Sequence, residues 1–192
     1  MVKRFVRDYI HYIDEIFCSA SKVIEKVRSA SPSSSFKSYH VRRGDLQYKE
    51  VKIPADQLLE NTKHLLEEGE TIFIATDEKD KTFFKPFIDK FNVKFLDDFM
   101  DCCGLQELNP NFLGMVDSII ASQGEIFVGT WFSTFTGYIT RLRGYYGFPK
   151  TSVFYGTLRH RFIVKFSNKV FISFNKIESN STWMRSHAFP FT

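Results

Sequence analysis

GEIFVGTWFSTFTGYITRLRGYYG, residues 124–147, is the stretch on which the fold of this chain turns. Glu125 to Gly129 has the apolar character of a short strand, Thr130, Ser133, Thr134 and Thr136 make a hydroxyl-rich turn, and an amphipathic helix ending in arginines follows. A strand, a loop of small polar residues and a helix start turn free N–H groups and the positive end of a helix dipole toward an anion, most often a phosphate. This predicts half of a phosphate site. The other half is expected far upstream in YHVRRGD, residues 39–45, where two arginines follow an apolar run.

Outward from these two stretches, strand and helix patterns alternate. Phe36–Val41 reads as a strand, Pro54 opens a helix that Gly69 closes, and Thr71–Thr76 is an apolar run suited to a buried parallel strand. Phe83 to Phe91 has helical spacing despite Pro86, Val93–Leu96 is a third strand, and Phe112 to Ile120 a further helix. Glu125–Gly129 and Ser152–Tyr155 supply strands four and five. The alternation predicts an α/β fold, a Rossmann-like open parallel sheet with helices on both faces. Such sheets bind ligands at the carboxyl ends of their strands, and both arginine turn and hydroxyl turn follow a strand directly. On either side of this domain, expected over residues 36–156, lie a long amphipathic helix from Val2 to Val27 with a serine-rich loop (residues 1–35) and a C-terminal hairpin around Ser167-Asn168 with a tail (residues 157–192).

Composition narrows the class. A chain of 192 residues with 43% apolar content has enough material for a sizeable core, and its 22 phenylalanines make that core aromatic. A net charge of +4 suits an anionic ligand but is too small to demand nucleic acid. A single-stranded nucleic-acid binder would need exposed aromatics interleaved with basic residues, whereas many of the phenylalanines fall at strand or core positions, so no nucleic-acid partner is expected. Cys18, Cys102 and Cys103 give neither a disulfide framework nor a zinc spacing. No apolar run is long enough to span a membrane, and the charged N-terminus does not read as a secretory signal. The chain is accordingly either cytosolic or a piece that begins inside a longer one.

Several residues could carry chemistry. Arg42 and Arg43 should point in different directions from a strand-to-loop turn, one forking onto a phosphate and the other onto a carboxylate, unless Asp45 merely holds a solvated turn. Ser133, Thr134 and Thr136 either cap a helix or bind a ligand. Trp131, Phe132 and Phe135 either pack or stack on a ring. Asp77-Glu78, after the second strand, could grip a ribose or cap a helix, and Asp97-Asp98 has the same two uses. Neither pair has the spacing of a dedicated metal site, so no metal is expected. Asp117, mid-helix among apolar neighbours, needs a partner, and Arg42 is the candidate. His40 precedes the arginines inside the strand, as a packed residue or a general base. No nucleophile elbow, Walker lysine loop or dinucleotide fingerprint is present.

Taken together, HVRRGD (40–45), IATDE (74–78), MVDSIIASQGEIFVGT (115–130) and FSTFTGYITRLRG (132–144) resemble, in order, the GDP-fucose protein O-fucosyltransferase family and the related α1,6-fucosyltransferases. The resemblance implies the donor-binding, C-terminal half of a GT-B glycosyltransferase that uses GDP-fucose, with inversion and without a metal or other cofactor. By it, Arg42 would hold the β-phosphate and stabilise the leaving diphosphate. Arg43, Ser133, Thr134 and Phe135 would also meet the donor, Asp77 would lie near the nucleoside, and Asp117 would steady the arginine turn, with His40, Asp45 and Thr136 in support. The acceptor would be a protein or glycan and the compartment the ER or Golgi lumen. The acceptor half and its catalytic base are expected to be missing from this chain, which leaves a noncatalytic nucleotide-sugar binding module as the alternative.

Overall fold

Lys37–Val41 forms β1, and all five of its residues are buried, the pattern of a strand covered on both faces. The structure is a computed structural model and describes residues 11–157 together with strand residues 162–166 and 169–173. β2 (Thr71–Thr76) lies parallel to β1 in the register Lys37↔Ile72 to Val41↔Thr76. β3 (Asn92–Lys94) continues the sheet beyond β2. On the other side of β1 come β4 (Phe127–Gly129) and then β5 (Val153–Tyr155), both parallel. The order is therefore β3-β2-β1-β4-β5. It reverses direction between β1 and β4, and at such a switch point the connections diverge and leave a crevice outside the carboxyl ends.

Helices cover both faces. On one lie α1 (Asp14–Ser29), α4 (Leu113–Ser122) and α5 (Thr134–Tyr145), whose Ile16, Ala20, Val116, Ile120 and Ile139 pack with Phe73 and Phe127 of the sheet. On the other lie α2 (Ala55–Thr62) and the single turn α3 (Lys85–Ile88), whose Leu58, Leu59 and Phe87 meet Tyr39, Ile72 and Ile74. Phe73 faces one layer while Ile72 and Ile74 face the other, which explains why β2 is apolar without interruption. In α1 the buried Ile16, Ala20, Val23 and Val27 form one stripe, with acids in the first turn and bases in the last, the polarity a helix dipole favours.

Several element ends differ from the sequence-based expectation. The helix opened at Pro54 ends at Thr62 and gives way to a 3-10 turn, Lys63–Leu65, before Gly69 is reached, and β4 begins at Phe127 rather than Glu125. Residues 11–13 are not helical, and α1 starts at Asp14, where two acids favour a helix N-terminus; the part of the expected helix within residues 1–10 lies outside the described residues. Phe83 to Phe91 is not one helix but a 3-10 turn, Lys81–Phe84, followed by α3. Pro86 lacks an N–H and is accommodated only in a first turn, so the helix cannot extend upstream through it. Strand three ends early because Asp98 accepts the Phe95 N–H at 2.8 Å and starts a 3-10 turn at Leu96. At the C-terminal end, β6 (Phe162–Phe166) and β7 (Lys169–Ser173) pair antiparallel as the expected hairpin; its turn and the tail lie outside the described residues.

Arg143, in the last turn of α5, carries no signal in the sequence beyond a helix-terminal charge, yet it is 1% exposed. Its Nη1 donates to the carbonyls of Ser122, at 3.1 Å, and Gly124, and its Nη2 to the Glu125 carbonyl at 3.0 Å and Ser152 Oγ at 2.6 Å. The Phe148 ring lies 4.4 Å from the guanidinium. Burial lowers the Arg143 pKa to about 10, so the group stays cationic at neutral pH and carbonyl dipoles serve it in place of a counter-ion. The clamp joins the end of α5 to the entrances of β4 and β5. Arg143→Met should lower the unfolding free energy by on the order of 3 kcal/mol, because several acceptors lose a charged donor at once. A urea midpoint equal to that of the wild type would remove Arg143 from this structural role.

Candidate functional site

Arg42 is the first residue after β1 and Thr130 the first after β4, so neighbouring strands deliver them side by side at the switch point. Thr130 Oγ1 accepts the Arg42 N–H at 3.1 Å and donates to the His40 carbonyl at 3.0 Å. The Thr130 N–H in turn donates to Thr136 Oγ1 at 3.1 Å, and Thr136 Oγ1 lies 2.6 Å from His40 Nδ1. Burial, to which Arg42 adds and which Asp77 opposes, lowers His40 to about 3. A neutral packed imidazole, in ring contact with Phe135 at 4.8 Å, follows. Gly129 is needed here, since a Cβ on it would come within 2.3 Å of Thr136 Cγ2.

The two arginines diverge, as consecutive residues leaving a strand should. Arg42 pairs with Asp77 Oδ2 at 3.1 Å and contacts Asp45. Arg43 turns to the other side, with Nε 3.5 Å from Glu78, Nη1 3.5 Å from the Ile53 carbonyl and the guanidinium 4.2 Å from the Phe83 ring. Asp77 holds the turn between them: its Oδ1 accepts the Arg43 N–H at 2.7 Å and its Oδ2 the Gly44 N–H at 2.8 Å. Burial pushes the Asp77 carboxyl up, but these two N–H groups and Arg42 prevail and hold it below the usual carboxylate range. A Cβ at Gly44 would stand 2.5 Å from that same oxygen, so the backbone must come this close.

Ser133 occupies the N-cap of α5 in an extended conformation, and its side chain makes no capping hydrogen bond. Of the two uses its hydroxyl could have, capping is therefore not the one adopted, and the 12-residue helix starts just beyond the carboxyl end of β4. Phe132, just before it, has φ +59°. A bulky residue in the left-handed region costs on the order of 1–3 kcal/mol and concentrates at functional turns. The rings beside it are packed against one another: Trp131 stacks on Tyr155 at 3.9 Å and Phe132 meets Tyr48, from the loop after β1, at 4.6 Å.

Asp117 is not where the sequence analysis expected it. The carboxylates around Arg42 are Asp77 and Asp45, while the charges that act on Asp117 are Asp97 and Lys81, from the loops after β3 and β2. Its Oδ1 is buried without a hydrogen-bond partner. Desolvation first, and then Asp97, raise its pKa to about 8, against the pull of Lys81. Asp77 has thus taken the steadying role, because it lies at the end of the strand paired with β1, whereas α4 carries Asp117 over β2. Asp97 pairs with Lys81 at 3.2 Å. Among the described residues no group of three or more histidine, cysteine or acidic side chains is placed to hold a metal, and no helix is long and apolar enough to cross a membrane.

A family model for the GDP-fucose protein O-fucosyltransferases matches residues 1–146, a span that takes in both turns and the start of α5. No curated protein matches the chain.

The raised Asp117 pKa sets a pH dependence. Its carboxyl ionises near 3.8 when unfolded and near 8 when folded, so its contribution to stability falls as pH rises through that window and is level above it. Asp117→Asn should remove this slope and stabilise the unliganded chain by roughly 1–3 kcal/mol at neutral pH. Denaturation midpoints of the two proteins at several pH values check this; curves that stay parallel between acid and neutral pH would contradict it.

Proposed function

This chain belongs to the GDP-fucose protein O-fucosyltransferase family, and from that premise we propose that its five-stranded domain is the donor-binding half of a fucosyltransferase of GT-B architecture. The observation that carries the proposal is the junction at the switch point, where Thr130 ties Arg42 to the uncapped start of α5. A diphosphate placed over that junction meets a guanidinium on one side and helix N–H groups on the other. Thr134 and Phe135 contribute backbone N–H groups, and Ser133 a hydroxyl, to this cradle. Arg43, turned toward Glu78 and Phe83, backs the turn rather than entering the cradle.

The chemistry follows from the charge. As the bond from C1 of fucose to the diphosphate oxygen lengthens, negative charge grows on the departing GDP, and Arg42 with the start of α5 stabilises it there without a metal cation. A protein or glycan hydroxyl attacking from the opposite face inverts the anomeric centre. Recognition of the guanine ring is assigned to Asp117. Guanine presents N–H donors along one edge, and a buried carboxyl with an unpartnered oxygen is suited to accept them, losing its proton as it does so. Asp77, occupied by the arginine turn, supports the donor only indirectly. The setting that family membership supports for this reaction is the ER or Golgi lumen.

Calorimetric titration tests the assignment. Arg42→Ala should weaken GDP binding by about 1.5–3 kcal/mol, roughly ten- to a hundred-fold in Kd. Unchanged affinity would sink the role of Arg42. Asp117→Asn should reduce the preference for GDP over ADP while leaving inorganic diphosphate binding as it was, and an unaltered preference would remove Asp117 from base recognition. Turnover, read as acceptor-dependent GDP release, separates an enzyme from a module that only binds the nucleotide sugar.

A further inference from the structure

The segment between β3 and α4 carries two adjacent thiols that the donor site does not use. Cys102 is exposed and Cys103 buried, yet their Sγ atoms approach to 2.9 Å. Neighbouring side chains usually diverge from the backbone, so this turn has brought them together. Cys103 is held in the core with Ile16, Ala20 and Val116 and is 0% exposed. Cys102 closes onto it from the solvent side, where its thiol also donates to the Phe99 carbonyl at 3.5 Å. Gly104, with φ +73°, follows immediately and allows the tight turn. The third cysteine, Cys18, is exposed on α1.

We propose that Cys102 and Cys103 form a vicinal dithiol site, which a small-molecule disulfide such as oxidised glutathione converts to a disulfide within the turn. The Cys102 thiolate attacks one sulfur of the oxidant and expels one thiol, leaving a mixed disulfide. The Cys103 thiolate then attacks the Cys102 sulfur and expels the second thiol. Two protein S–H bonds and one S–S bond of the oxidant become one protein S–S bond and two small thiols. The order of attack follows from access, since only Cys102 meets solvent. Burial, with Cys102 beside it, pushes the Cys103 thiol up to about 11, although Lys26 and Lys22 of α1 pull the other way. Because the ring closes only two residues, it constrains the unfolded chain little and does not act as a stabilising staple. The same pair, when reduced, presents two sulfurs to one thiophilic trivalent centre.

The folded full chain is incubated with oxidised glutathione, quenched with acid, denatured, alkylated and mapped by peptide mass spectrometry. A peptide lacking two hydrogens and linked between Cys102 and Cys103, with Cys18 outside the link, supports the site. Lasting glutathionylation of Cys102 with Cys103 recovered alkylated, a link from Cys102 to Cys18, or recovery of both cysteines alkylated would overturn it. Cys103→Ala, which keeps the buried position apolar, should accumulate the glutathione adduct on Cys102, and its absence would contradict the order of attack. Phenylarsine oxide gives an independent readout on the reduced chain. It should be retained by Cys18→Ser and lost from Cys102→Ser, and equal retention by both would reject the dithiol.

Discussion

One hydroxyl, that of Thr130, joins the two halves of the site. It takes the Arg42 N–H and gives its proton to the His40 carbonyl, across the place where the strand order of the parallel sheet reverses. Both groups it satisfies belong to β1 or the residue after it, where the ladder to β4 has already ended, so without it they would face the crevice unpaired. Through its own N–H it also fixes Thr136, and through Thr136 the start of α5 and the His40 ring. The distance between arginine turn and helix start is thus set by short hydrogen bonds between buried or half-buried groups, not by long flexible side chains. Preorganised donors of this kind stabilise developing charge without first having to reorganise.

Electrostatics divides the labour around that joint. Asp77 is ionised, satisfied and committed to the backbone of the arginine turn, whereas Asp117 is held near neutrality in a buried place with an oxygen unpaired. Two carboxyls of the same chemistry therefore differ because one received N–H donors and a guanidinium and the other received apolar neighbours and a like charge. A satisfied carboxylate belongs to the fold. An unsatisfied one costs stability.

The fold was legible in the sequence to the extent that it rests on periodicity. The five strands, their parallel character and the layers on both faces follow from the uninterrupted apolar runs such as Thr71–Thr76 and from helical spacing between them. Element ends were less legible where one side chain decides them, as Asp98 does for β3 and Pro86 for α3. Within the site, the arginine turn and the hydroxyl turn were visible because each follows a strand. That Asp77 rather than Asp117 holds the arginine turn was not, since sequence adjacency says nothing of which strand ends lie side by side. Nor was the left-handed Phe132, a residue type that gives no signal for that conformation, or the burial of Arg143, since an arginine in the last turn of a helix reads equally as part of a solvated face. Gly129 and Gly44 could be read as turn residues, but what they make room for, Thr136 and Asp77, emerges only in three dimensions.

The account stands most directly on the diphosphate lying over the junction of Arg42 with the start of α5. Backbone amide chemical shifts of the labelled chain, titrated with GDP and separately with guanosine, read that placement residue by residue. The account predicts that the amides of Arg42, Thr134, Phe135 and Thr136 move with GDP and stay nearly still with guanosine. Shifts at those amides that are the same for both ligands, or GDP-induced shifts confined to other parts of the chain, would contradict it.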